Sequence, residues 1–202
     1  LVHKGGLVKT IGFKTPKYVG DPINAVKIFN EKEADELIVL DIDATVNNAE
    51  LDYRMIANLA AECRMPLCYG GGIKTPAQAK RIISLGVEKV AISSAAVEHP
   101  ELITQIADEI GRQSVVVVLD VKKRLFSKDY DVFTKNACTN TKRSVFDLAA
   151  EAEKLGAGEL VINSIDLDGA MTGYDLALAE KIRQAVNIPI SILGGAGSLD
   201  DI

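Results

Sequence analysis

The chain has 202 residues, 48% of them hydrophobic and 25% charged, with a formal net charge of -5. That balance belongs to a globular protein and excludes a disordered one, and an acidic chain without a Lys/Arg cluster argues against a nucleic-acid partner. No uncharged apolar run approaches the roughly 18 residues of a membrane span, so neither membrane association nor a signal peptide before the first domain-like segment is expected.

The predicted elements alternate along the chain. The first strand ends within residues 1–3. A helix-period stretch at 24–34 leads into strand 36–41 (ELIVLD), one at 52–62 into 66–70 (PLCYG), and one at 77–85 into 89–93 (KVAIS). A helix at 100–111 precedes strand 115–120 (VVVVLD), 146–155 precedes 159–163 (ELVIN), and 176–185 precedes 188–193 (IPISIL). Thr75-Pro76 and His99-Pro100 mark two helix starts, and Asp147 sits early in a third. The strands are nearly continuous in apolar character, as parallel strands buried on both faces are.

Repeated strand–helix units imply right-handed crossovers and a parallel sheet, either doubly wound or closed as a barrel. No G-x-G-x-x-G turn follows a strand, whereas polar residues collect at strand C-termini: Asp41, Gly70, Ser93, Asp120, Asn163 and Gly194. Barrel enzymes keep their chemistry at that end. The chain also repeats itself: LDIDA (40–44) and GGG (70–72) recur as IDLDG (165–169) and GGAG (194–197) at nearly one spacing. The expected fold class is therefore α/β, a (β/α)8 TIM barrel of two similar half-barrels. It forms a single domain over 1–202, lacking part of the first strand and the eighth β/α unit.

The glycine clusters YGGGI (69–73) and LGGAG (193–197) free the backbone for a ligand or simply make tight turns. Exposed N–H groups beside a helix start suit phosphate, and two clusters at symmetric positions imply a ligand with two phosphates. Ser93 and Ser94 add hydroxyls or cap a helix. Asp120 ends an apolar strand, where desolvation raises a carboxyl pKa and suits it to acid–base work. Asp168-Gly169 is the better ligand-binding pair among the remaining strand-end carboxylates, Asp41 and Asp166 being expected to hold loops. Glu36, Lys89 and Glu159 lie at the opposite strand ends, where a surface salt-bridge ring is the plain reading. Cys63, Cys68 and Cys138 form no disulfide framework and are expected as reduced thiols of a cytoplasmic protein. His3 and His99 offer no metal spacing, so no metal and no cofactor is expected.

The motifs VHKGGLVKT (2–10), GDPINAV (20–26), DELIVLDIDA (35–44), YGGGI, KVAISSAAVEHPELI (89–103), VVVVLD, GAGELVINSIDLDGAMTGYD (156–175) and LGGAG together resemble the cyclase subunit of imidazole glycerol phosphate synthase, over essentially the whole chain. The resemblance implies a (β/α)8 barrel paired with a class I glutaminase subunit as a heterodimer. Ammonia from the glutaminase would pass through the barrel to a bisphosphorylated aminoimidazole-carboxamide ribonucleotide, a lyase/cyclase step of histidine biosynthesis. Carried over by position, Asp120 matches one of two catalytic aspartates and Lys9 a mobile-loop lysine near the substrate. Gly72, Ser93 and Ser94 match the first phosphate site, and Asp168, Gly169 and Gly195 the second. Glu36, Lys89 and Glu159 match a charged gate at the ammonia entrance.

Leu1 stands where the other catalytic aspartate falls, Leu193 replaces a hydroxyl residue, Asn163 replaces a threonine, and the loop 122–142 is slightly longer than the family norm. Losing one of two acid–base partners is expected to cost several orders of magnitude in rate. These departures keep open a paralogue that channels ammonia for amidination of a surface-polysaccharide sugar without cyclase activity. A non-enzymatic barrel that pairs exposed strand edges in an oligomer is the third alternative.

Overall fold

Asp21 caps the first helix through a 3.0 Å bond from Asn24 N, with Pro22 in the first turn, so that helix begins ahead of its predicted start. Thr75 and Gln78 form a reciprocal capping box across Pro76, and Asp52, Ser144 and Asp175 cap three more helices. The computed structural model describes residues 1–125, 127 and 129–201. Its elements are β1 (Val2–His3), β2 (Gly6–Ile11), β3 (Lys14–Gly20), α1 (Pro22–Glu31), β4 (Leu37–Leu40), α2 (Tyr53–Glu62), β5 (Leu67–Gly70), α3 (Pro76–Ser84) and β6 (Lys89–Ile92). There follow α4 (Ser94–Glu98), α5 (Glu101–Ile110), β7 (Val115–Lys123), β8 (Tyr130–Thr134), β9 (Thr139–Ser144), α6 (Val145–Leu155), β10 (Glu159–Ser164), α7 (Leu176–Ala185) and β11 (Ile190–Leu193).

The order β11-β10-β7-β6-β5-β4 is parallel throughout, and β1 continues it through a parallel bridge from Val2 to Asp41. Seven parallel strands among the described residues thus curl into the greater part of a TIM-type α/β barrel, as predicted. Two antiparallel hairpins were not predicted. The β2–β3 hairpin gives little period-two signal because nearly all of β3 is exposed. The segment 122–142, read as a loop, is the end of β7 and a hairpin of β8 with β9, residues 126 and 128 lying outside the described ones. Its signal was there, since Tyr130, Val132 and Thr134 alternate as buried residues.

Strand alternation sorts each barrel strand into an outer and an inner set. Along β7, Val115, Val117, Leu119 and Val121 join the large core beneath the helices, while Val116 and Val118 join a second cluster with Cys68, Ala91 and Val161 inside the barrel. Ile38, Leu40 and Leu193 pack against that inner cluster. The same parity assigns Glu36, Lys89, Glu159 and Ser191 to one end of the interior. It assigns Ser93, Asp120 and Asn163 to the other, with apolar residues between. One interior therefore has a charged base, an apolar bore and a polar mouth.

Candidate active site at the barrel mouth

At the C-terminal strand ends lies a cavity of about 350 Å³. Asp120, Gly72, Ser93, Ser94, Asp168, Gly169 and Gly195, all expected from the sequence, line it together. Lys9 does not: it stands exposed in β2, opposite Lys17 of β3, outside the lining. Leu1 and Leu193 contribute apolar wall.

Asp120 is 9% exposed. Parallel register places it directly beside Asn163, whose Nδ2 donates to Oδ1 at 3.0 Å. Ser93 Oγ stands 3.5 Å from Oδ2, a weak contact that the serine makes instead of capping α4. Burial pushes the Asp120 carboxyl up to about 7; the Asn163 and Ser93 bonds oppose this, and the nearby Asp168 charge adds to it. A carboxyl so placed both holds and releases a proton near neutrality, as a general acid or base must.

Asp168 is fixed by the β2–β3 hairpin: Thr10 Oγ1 donates to Oδ2 at 2.7 Å and Phe13 N at 2.9 Å, while Gly12 N donates to its carbonyl at 3.0 Å. The glycine turns are packed against the protein's own backbone. A Cβ on Gly71 would lie 2.1 Å from Asp41 O and one on Gly195 2.0 Å from Gly173 O, and both residues have positive φ. Tight-turn packing accounts for those two glycines. The Gly72 amide donates to Thr45 Oγ1 at 3.1 Å. As expected, Asp41 serves its loop, accepting from the amides of Asp43 and Ala44. Asp166 pairs with Lys122 at 3.5 Å.

At the base, Lys89 Nζ lies 2.9 Å from both Glu36 Oε2 and Glu159 Oε2, and Ser191 Oγ donates to Glu159 Oε1 at 2.9 Å. Burial alone would lower the Lys89 pKa, but its bonds to the two carboxylates outweigh it, so the ammonium is held protonated. This is not an open surface ring: Glu159 is 9% exposed, and Glu36 Oε1 is buried without a partner among the described residues.

Sequence reasoning missed Thr10, Phe13, Thr45 and Asn136 as lining residues. Thr10 and Phe13 meet Asp168 across 158 and 155 positions, and no local spacing signals such a contact. Asn136 arrives on the tip of the β8–β9 hairpin, and predicting it required that hairpin. Among the described residues no group of three or more His, Cys, Asp or Glu side chains could hold a metal ion, and no helix is long and apolar enough to cross a membrane.

The model of the family "Histidine biosynthesis protein" matches residues 2–202. The chain belongs to that family. Within it the chain is 56% identical to "Putative imidazole glycerol phosphate synthase subunit hisF3" of Vibrio vulnificus, over all of this chain and 78% of that protein. It is 52% identical to "Putative imidazole glycerol phosphate synthase subunit hisF2" of Pseudomonas aeruginosa, over all of this chain and 80% of that one. It is 42% identical to "Imidazole glycerol phosphate synthase subunit HisF" of Lactococcus lactis, over all of this chain and 78% of that subunit. The barrel with its mouth cavity is thus that of a HisF-type subunit.

Proposed function

We propose that this HisF-type chain is an ammonia-using synthase subunit, a lyase/cyclase acting in the cytoplasm on a bisphosphorylated ribonucleotide held in the mouth cavity. The two phosphates are bound on opposite sides, one by Ser93 and Ser94 beside Gly72, whose own amide donates to Thr45, and the other by Gly169 beside the tight turn at Gly195, with Asp168 bracing the second side. Lys9, on the β2–β3 hairpin whose Thr10 and Phe13 line the cavity, adds a cation beside the mouth that attracts the ligand. Ammonia comes from a partner glutaminase docked at the base, enters past Glu36, Lys89 and Glu159, and crosses the apolar bore. That lining favours neutral ammonia over ammonium, whose charge is costly to desolvate.

The observation that carries this reading is Asp120, a carboxyl buried in the wall of that cavity with only neutral donors on it, so that burial pushes it up to about 7. Such a group takes a proton from the attacking amine and returns it to the leaving nitrogen without a change of pH. The test is ammonia-dependent turnover of the bisphosphorylated aminoimidazole-carboxamide ribonucleotide by the wild-type protein and by Asp120→Asn. Turnover that requires Asp120 supports the reading. Its absence in the wild type, with glutaminase binding and stimulation intact, overturns the cyclase assignment.

That second outcome is the paralogue reading, in which ammonia is passed on for amidination of a surface-polysaccharide sugar. Leu1 favours it, because an apolar side chain lines the cavity where the family resemblance places a second proton carrier.

A further inference from the structure

The tip of the β8–β9 hairpin is built in an unusual conformation. Lys135, Asn136 and Ala137 all take left-handed backbone angles, with φ of 55°, 54° and 61°. None is glycine, and three such residues in a row are held only where surrounding contacts over-determine them. Asn136 Nδ2 donates to the carbonyl of Ile42 at 2.7 Å, tying the tip to the loop after β4. Lys135 N donates to Ser94 Oγ at 2.9 Å, and Lys135 Nζ pairs with Glu98 of α4 at 3.1 Å. Asn136 and Ser94 both line the mouth cavity.

A serine hydroxyl has one proton and two lone pairs. The Lys135 amide occupies a lone pair of Ser94, and among the described residues no protein group accepts the Ser94 proton. The hairpin therefore leaves Ser94, itself only 9% exposed, as a hydrogen-bond donor on the cavity wall. We propose that Asn136 is a positioning residue for anion recognition: by fixing the hairpin tip to Ile42 it sets the Lys135 amide on Ser94, which orients the Ser94 hydroxyl toward a phosphate monoester. This rests on the reading of Gly72, Ser93 and Ser94 as a phosphate site and adds what orders it. Asparagine suits the position doubly, since it tolerates the left-handed backbone and its amide supplies the tether.

The test separates backbone from side chain. Asn136→Gly keeps the left-handed angle without strain and removes only the carboxamide; Asn136→Asp keeps the shape but cannot donate to Ile42 O. Binding of the bisphosphorylated ribonucleotide and of inorganic phosphate is measured by calorimetry, exchange of the Lys135 amide by NMR, and KM against kcat where turnover is present. Both variants are expected to speed Lys135 exchange and to weaken bisphosphate binding about tenfold, the scale of one net hydrogen bond. Any kinetic change falls on KM rather than kcat. Faster exchange with unaltered affinity overturns the proposal, and so does unaltered exchange. Wild-type protein that binds neither probe overturns the phosphate site and this inference together. Wild-type binding that the variants leave untouched overturns only the role of Asn136.

Discussion

Asp120 and Glu159 are buried alike, each 9% exposed, on neighbouring strands of one barrel interior, but they have opposite surroundings. At the base, Glu159 has an ammonium 2.9 Å from one oxygen and a serine hydroxyl on the other. At the mouth, Asp120 receives only neutral donors, one of them at 3.5 Å, and its nearby charge is another carboxylate. The base carboxylate is locked to a cation and the mouth carboxyl exchanges its proton near neutrality. Burial alone does not make an acid–base catalyst; burial without a counter-ion does.

The largest effect comes from removing the mouth carboxyl. Asp120→Asn is expected to lower ammonia-dependent turnover by about 10²- to 10⁴-fold, measured with saturating ammonium salt. The wild-type rate rises as pH passes about 7 if Asp120 acts as the base. The same variant should be the more stable protein in alkali. Because the folded carboxyl titrates near 7 rather than its ordinary 3.8, the native state binds the proton more tightly than the unfolded chain. This group's contribution to stability is full below about pH 4 and is lost as pH rises through about 7. Urea unfolding at pH 8 should therefore favour Asp120→Asn by up to about 4 kcal/mol, with the gap closing toward pH 4.

Next in size is the attempt to make the base resemble the mouth. Lys89→Met removes the cation and leaves Glu36 and Glu159 facing each other in a confined site. A loss of about 2–3 kcal/mol at pH 7 is expected in denaturant unfolding, discounted from a fully buried pair because Lys89 remains partly exposed. Adding Glu36→Gln and Glu159→Gln to Lys89→Met should recover most of that loss, because no charge is then left unpaired in the site. A loss that persists in the triple variant would mean that Lys89 acts by packing its stem rather than by charge.

Smaller still is a change within the mouth. Asn163→Leu deletes the 3.0 Å donor that favours the ionised form of Asp120, so the carboxyl should titrate higher still, read as an alkaline shift of the rate profile or by carboxyl NMR. This residue also marks a limit of the sequence. The alternation that sends Val116, Val118 and Asp120 to one side of β7 is local, so the barrel, its polar mouth and most of the glycine turns were legible. Asn163 was legible as a polar strand end and as a departure from the family pattern, but not as the partner of Asp120. Its pairing with Asp120 follows from strand register, which no single segment contains. The two hairpins were missed for different reasons: β3 exposes nearly every residue and has no apolar face to read, whereas β8 carries a period-two signal that is only five residues long. Thr10, Phe13 and Asn136 depended on those hairpins and were lost with them.

The smallest expected effect tests whether the two ends are independent. Ser191→Ala removes the hydroxyl that satisfies Glu159 Oε1 but leaves Lys89 in place. With the charge still paired, the carboxylate loses one neutral donor, worth about 1 kcal/mol or less, seen as a small drop in the denaturant midpoint. The pH dependence of turnover should stay where it is, because Val161 and the rest of the apolar bore separate this oxygen from Asp120 and no hydrogen-bond chain joins them among the described residues. A shift in that profile would mean that the base and the mouth share one electrostatic network, and the contrast between a fixed and an exchanging carboxylate would then be a property of the whole interior.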